Sequence, residues 1–84
     1  MEHLDGNAIA GELEEIFGVE MTLATGVCAA CGSAGVVGEL HVYVGAGWVV
    51  RCPACGSVLM AIVRGSGRRW IAATGLRSLE MPAV

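Results

Sequence analysis

Cys28-Ala29-Ala30-Cys31-Gly32 and Cys52-Pro53-Ala54-Cys55-Gly56 are two copies of one pattern, CxxCG, set 24 residues apart. Together they hold all 4 cysteines of an 84-residue chain. Cysteines separated by two residues turn both sulfurs toward one point when the backbone forms a tight knuckle. The glycine that follows can take the positive φ that such a turn needs. Twenty residues separate Cys31 from Cys52, inside the range of a four-cysteine zinc site. The spacing therefore predicts one tetrahedral Zn²⁺ held at about 2.3 Å by Cys28, Cys31, Cys52 and Cys55. Such a shell has no open position for water or substrate, so the predicted metal is structural and no thiol is left as a nucleophile. Four thiolates and a dication sum to about −2, which neutral donors or Arg51, just before Cys52, would help to balance.

Other uses of paired cysteines fit less well. Two disulfides would need an oxidising compartment. A redox CxxC belongs in a βαβ setting, and neither pair has one. Iron is the alternative metal, because CxxCG and CPxCG also resemble the two loops of rubredoxin, which would imply electron transfer. The spacing here is shorter than in rubredoxins. Their aromatic-rich core is also missing, since the chain has 1 Tyr, 1 Phe and 2 Trp.

Eighty-four residues make a single domain, 1–84, near the size where one core becomes marginal and a metal staple helps. Apolar residues are 55% of the chain, which supports a packed core and argues against disorder. The longest apolar run, Val58–Val63, suits a buried strand and falls far short of the roughly 20 residues that cross a bilayer. With no secretory leader pattern at its start, the chain is expected to be cytoplasmic, in a reducing compartment, with no membrane partner. The absence of Lys beside many Ala, Gly and Val points to a GC-rich bacterial genome.

Charge is unevenly placed. Residues 1–40 carry 7 acids and no Lys or Arg, whereas residues 41–84 carry 5 Arg and 1 Glu. The net charge of −3 excludes a uniformly basic surface but leaves room for a basic face.

The fold class expected is small α+β. A helix is predicted over about 5–17, with Asp5 as N-cap, Gly18 as stop, and Ile9, Leu13, Ile16 and Phe17 on one apolar stripe that docks on a sheet. Glu12, Glu14 and Glu15 lie off that stripe and read as a solvated face. A β-rich core over about 20–81 follows, with about five short antiparallel strands and the two knuckles. Met21–Thr25, Leu40–Val44, Trp48–Arg51, Val58–Arg64, Arg69–Thr74 and Leu76–Met81 carry the strand patterns.

Arg64, Arg68, Arg69 and Trp70 form the candidate binding surface, because an aromatic among arginines can stack on bases while guanidinium groups meet phosphates. The bland reading is a hairpin tip with solvated charges and a Trp anchored in the core, its arginines paired with the acidic helix. Trp48 reads as a core residue, His41 as an exposed strand histidine and His3 as part of a mobile tail. No phosphate loop, nucleophile triad or paired-carboxylate pattern is present, so no catalytic residue is assigned.

Residues 28–64 resemble a zinc ribbon, in which two CxxC knuckles on hairpins share one metal. Together with Leu4-Asp5-Gly6-Asn7-Ala8 and the Arg-Trp strand, they are similar to a small actinobacterial family of uncharacterised four-cysteine zinc-ribbon proteins. That resemblance implies a metal-binding protein without an assigned activity. Ala29 departs from the Pro common in such knuckles, which bears on rigidity and removes no ligand. The function expected is a non-enzymatic interaction or adaptor module whose apolar excess leaves surface for a partner protein or a second copy. Nucleic-acid binding through the Arg68–Trp70 hairpin and rubredoxin-like electron transfer are the alternatives.

Overall fold

The computed structural model describes residues 3–81. The chain enters through β1 (Leu4–Asp5), and the Asp5 carboxylate accepts the Asn7 N–H at 3.1 Å. This cap opens a 3₁₀ turn, Gly6–Ile9, which runs into α1 (Ala10–Phe17). Gly18, at φ 77°, ends the helix with its N–H on the Glu14 carbonyl. The expected helix is thus a 3₁₀ entry followed by an eight-residue α-helix.

Seven further strands follow: β2 (Thr25–Cys28), β3 (Ala34–Val36), β4 (His41–Val44), β5 (Gly47–Arg51), β6 (Val58–Gly65), β7 (Arg68–Ala72) and β8 (Leu76–Glu80). They build two antiparallel sheets, one ordered β1-β4-β5-β6-β7 and the other β3-β2-β8. The α+β class holds. Val42, Val50 and Met60 form one row across β4, β5 and β6, and they join Ile9, Leu13, Met21 and Ile62 in a single core. Trp48 packs against that core from the edge, as expected of it.

Phe17 departs from the expected stripe. It is 36% exposed, while Leu13 is 1%. Phe17 is the last residue of the helix, and after the Gly18 reversal Met21 fills the core in its place. Met21 sits in no strand, and the Thr22–Leu23 turn leaves Leu23 facing solvent. The strand expected from Leu40 begins at His41, because Val37–Glu39 form a 3₁₀ turn. A Cβ on Gly38 would lie 2.9 Å from Asn7 Oδ1 and 3.0 Å from the Thr22 carbonyl, so this turn is wedged against the N-terminal segment.

Among the described residues eight strands stand where about five were expected. The additions include β1, too short for a period, and β3, whose Ala-Gly-Val carries no alternation to read. Among the described residues no helix is long and apolar enough to cross a membrane.

Candidate metal centre

Each CxxCG pattern is the turn of a hairpin, β2–β3 for the first and β5–β6 for the second. The two turns share one backbone plan. Cys28 N–H donates to the Ser33 carbonyl and Gly32 N–H to the Cys28 carbonyl, both at 2.9 Å. Cys52 N–H donates to Ser57 at 2.9 Å and Gly56 N–H to Cys52 at 2.8 Å. Gly32 and Gly56 take φ of 76° and 79°, the left-handed conformation for which glycine carries no Cβ penalty. The repeat therefore extends one residue further, to Cys-x-Ala-Cys-Gly-Ser in both copies. Ser33 and Ser57, passed over in the sequence reading, close the knuckles.

The two hairpins bring all four sulfurs within 4.8 Å of one another. Cys28 Sγ lies 3.7 Å from Cys55 Sγ, and Cys31 Sγ lies 3.7 Å from Cys52 Sγ. A tetrahedron with about 2.3 Å metal–sulfur bonds has edges of about 3.8 Å. The donor set therefore suits a four-thiolate metal site, and all four cysteines are free of disulfides. Cys28 and Cys52 belong to the buried core, whereas Cys31 and Cys55 face solvent. Because Cys28 ends a strand of one sheet and Cys52 follows a strand of the other, a shared ion would tie the two sheets together.

The thiols are not equivalent. The Ser57 hydroxyl and N–H on its sulfur lower Cys55 to about 6, helped by the neighbouring thiols Cys31 and Cys28. The Ser33 N–H favours a thiolate at Cys31 too, but burial and the surrounding sulfurs outweigh it and push Cys31 up to about 11. A bound dication would favour the thiolate form of its ligands.

The match to one protein family spans residues 1–84. The chain belongs to the family of unknown function DUF6510. No curated protein and no solved structure matches it.

Two braces hold the knuckles of this DUF6510 chain. Arg51, expected to balance the thiolates, instead donates from Nη1 to the Gly56 carbonyl at 2.8 Å and lies over the Tyr43 ring. It fixes the second knuckle through its backbone. Gly75 braces the first: its carbonyl accepts the Ala29 N–H at 2.9 Å, and its N–H reaches the Leu59 carbonyl at 3.2 Å. A Cβ there would sit 1.9 Å from the Val58 carbonyl. The Thr74-Gly75 turn is the one sequence signal that could have marked this residue.

The candidate binding surface is divided. Arg64 Nη1 lies 3.5 Å from Glu12, and Arg69 reaches Glu12 at 3.0 Å and Glu15 at 3.1 Å. Glu12, expected on a solvated face, has a side chain only 9% exposed. Its Oε1 and Arg69 Nε are buried and meet in a charge contact without hydrogen-bond alignment. The register explains the meeting, since Arg64 and Arg69 are cross-strand partners. Arg68 and Trp70 remain open, and Trp70 is 58% exposed, so it does not anchor the core. At the opposite edge His3, expected to be mobile, stacks on a half-buried His41 at 3.6 Å.

Proposed function

We propose that this protein is a non-enzymatic, zinc-ribbon-like domain of the cytoplasm that holds one structural Zn²⁺ through Cys28, Cys31, Cys52 and Cys55 and binds another protein. The observation that carries the metal reading is the convergence of four sulfurs within 4.8 Å, with both cross-knuckle contacts at 3.7 Å. Zinc is favoured over iron by the surroundings. Between and just after the paired cysteines stand only Ala, Pro, Gly and Ser, and Cys31 and Cys55 are exposed. Neither knuckle contains an aromatic residue that could shield a redox-active ion, whereas zinc has no redox chemistry to shield. A closed four-thiolate shell supports a structural role, because it leaves neither a coordination position nor a free thiol.

Exposed Trp70 beside Arg68 supports a second reading, nucleic-acid binding by the β6–β7 hairpin. The pairing of Arg64 and Arg69 with Glu12 and Glu15 weighs against it. Fluorescence anisotropy with mixed oligonucleotides decides between them. The protein-partner reading expects no binding tighter than about 100 μM at physiological salt, the weak end of non-specific affinity. Low-micromolar binding that vanishes in an Arg68→Ala, Arg69→Ala double mutant would reverse the order. Elemental analysis tests the metal: colourless protein with one zinc per chain is expected, and red ferric protein would make iron the resident ion.

A further inference from the structure

The two sheets expose four edge strands, and one of them is unlike the rest. Edge strands are commonly protected by shortness or by charged side chains, because their unpaired N–H and C=O groups recruit other strands. β1 is two residues long and carries Asp5; β7 carries Arg68 and Arg69; β8 carries Arg77 and Glu80. β3, Ala34-Gly35-Val36, is also short, at three residues, but alone among the four it carries no charge.

Its register shows which groups it offers. Cys28 N–H bonds to the Ser33 carbonyl and Val37 N–H to the Ala24 carbonyl, which places Gly26 and Gly35 between them as the next hydrogen-bonded pair. The N–H and C=O of Ala34 and Val36 therefore point away from β2. The Val36 carbonyl opens the 3₁₀ turn Val37–Glu39 and is used there, so the groups this edge offers are the N–H and C=O of Ala34 and the N–H of Val36. Beside this edge lies a cleft of about 370 Å³, with Ala34, Gly35 and Val36 on its lining together with Pro53 and Ala54 of the second knuckle. Gly26 and Cys28 of β2 line it too, with Leu40 and Leu59, so the cleft lies against the core-facing side of the β2–β3 hairpin and reaches its free edge at Ala34 and Val36.

Charge selects the occupant. Glu39 lines the cleft, and so do Cys28 and Cys52. On the zinc reading above, those two sulfurs belong to a centre of about −2 charge. A second copy would bring another acidic cleft and a chain of net charge −3, so self-pairing is opposed. Nucleic acid is opposed for the same reason. We propose that the β3 edge binds an extended, basic peptide segment of a partner protein, which adds a strand through Ala34 and Val36 and sets an Arg or Lys near Glu39. Small residues on the walls leave room for its apolar side chains, and backbone pairing supplies affinity. This inference rests on the zinc reading for part of the charge and on β3 alone for the pairing.

The test uses zinc-loaded full-length protein and three five-residue peptides: alternating Val and Arg, alternating Val and Glu, and the Val–Arg peptide with N-methylated backbone. Amide NMR is expected to show the Val–Arg peptide shifting Ala34 and Val36, with weaker binding at raised salt and little binding of the other two. Val36→Pro is the decisive variant. Val36 has φ −72° and ψ 133°, which proline accepts, and its lost N–H makes no ladder bond. It should keep its metal and its melting temperature while peptide affinity falls about fivefold to tenfold. Glu39→Gln should weaken the Val–Arg peptide about twofold to fivefold.

Equal binding by Val36→Pro, or equal binding of the acidic peptide, overturns the proposal. So does concentration-dependent self-association that Val36→Pro abolishes, which would make the occupant a second copy. Zinc-loaded protein that takes no peptide sinks this inference and leaves the metal reading standing. Metal-free folded protein that takes the basic peptide at β3 does the reverse.

Discussion

At the knuckles, four sulfurs carried by hairpins of the two sheets converge within 4.8 Å. Along α1, by contrast, Ile9 and Leu13 pack into the shared core while Glu12 lies between Arg64 and Arg69. On the proposed metal reading, the first region would depend on one set of strong bonds to a single ion. The second depends on many weak contacts, each replaceable. Loss of any one ligand should therefore act in an all-or-none way at the knuckles, whereas substitutions along α1 should give graded losses.

The largest effect is expected from the cysteines. Structural zinc binds with about 10–16 kcal/mol of apparent free energy in small zinc peptides, comparable to or above a small domain's whole stability. Cys52→Ser should abolish metal binding and melt the β-sheets, read by metal content and circular dichroism. A mutant with full metal content would remove that residue from the shell. Leu13→Ala should cost about 2–5 kcal/mol in chemical denaturation, because Leu13 is almost wholly buried.

Gly75→Ala sharpens the comparison from the knuckle side. Its Cβ would meet the Val58 carbonyl at 1.9 Å, so a loss of about 1–3 kcal/mol is expected, with faster metal release to a chelator. An unchanged release rate would separate Gly75 from the metal corner. Glu12→Gln should cost about 1 kcal/mol, less in high salt, since its Arg partners remain partly hydrated. Phe17→Ala should fall below about 1 kcal/mol, as befits a residue 36% exposed. A larger loss would mean that Phe17 is covered in solution.

The contrast also explains what could be read in advance. Metal ligands come from a fixed spacing of one residue type, so the four cysteines were legible from two short patterns. The helix stripe was legible through Leu13 but not at Phe17, because periodicity does not say how far a core extends past the last turn. Arg69 and Glu12 are 57 residues apart in sequence, and only the β6–β7 register and the seat of α1 bring them together. β3 lacked any signal because Ala-Gly-Val neither alternates nor carries bulk; its partner β2 and the Ser33 closure define it. Gly75 was passed over for the same kind of reason, since its necessity lies in the Val58 carbonyl opposite.

The central claim is that four cysteines hold one ion that joins the sheets. It is tested most directly by counting thiols against metal in native protein. A maleimide and a chelator-based zinc indicator, used together, follow both during slow chelation. The account predicts four thiols protected at the start, one zinc released per chain, and all four becoming reactive in step with that release. Thiols that react at once in folded protein, or well under one metal per chain, would contradict it.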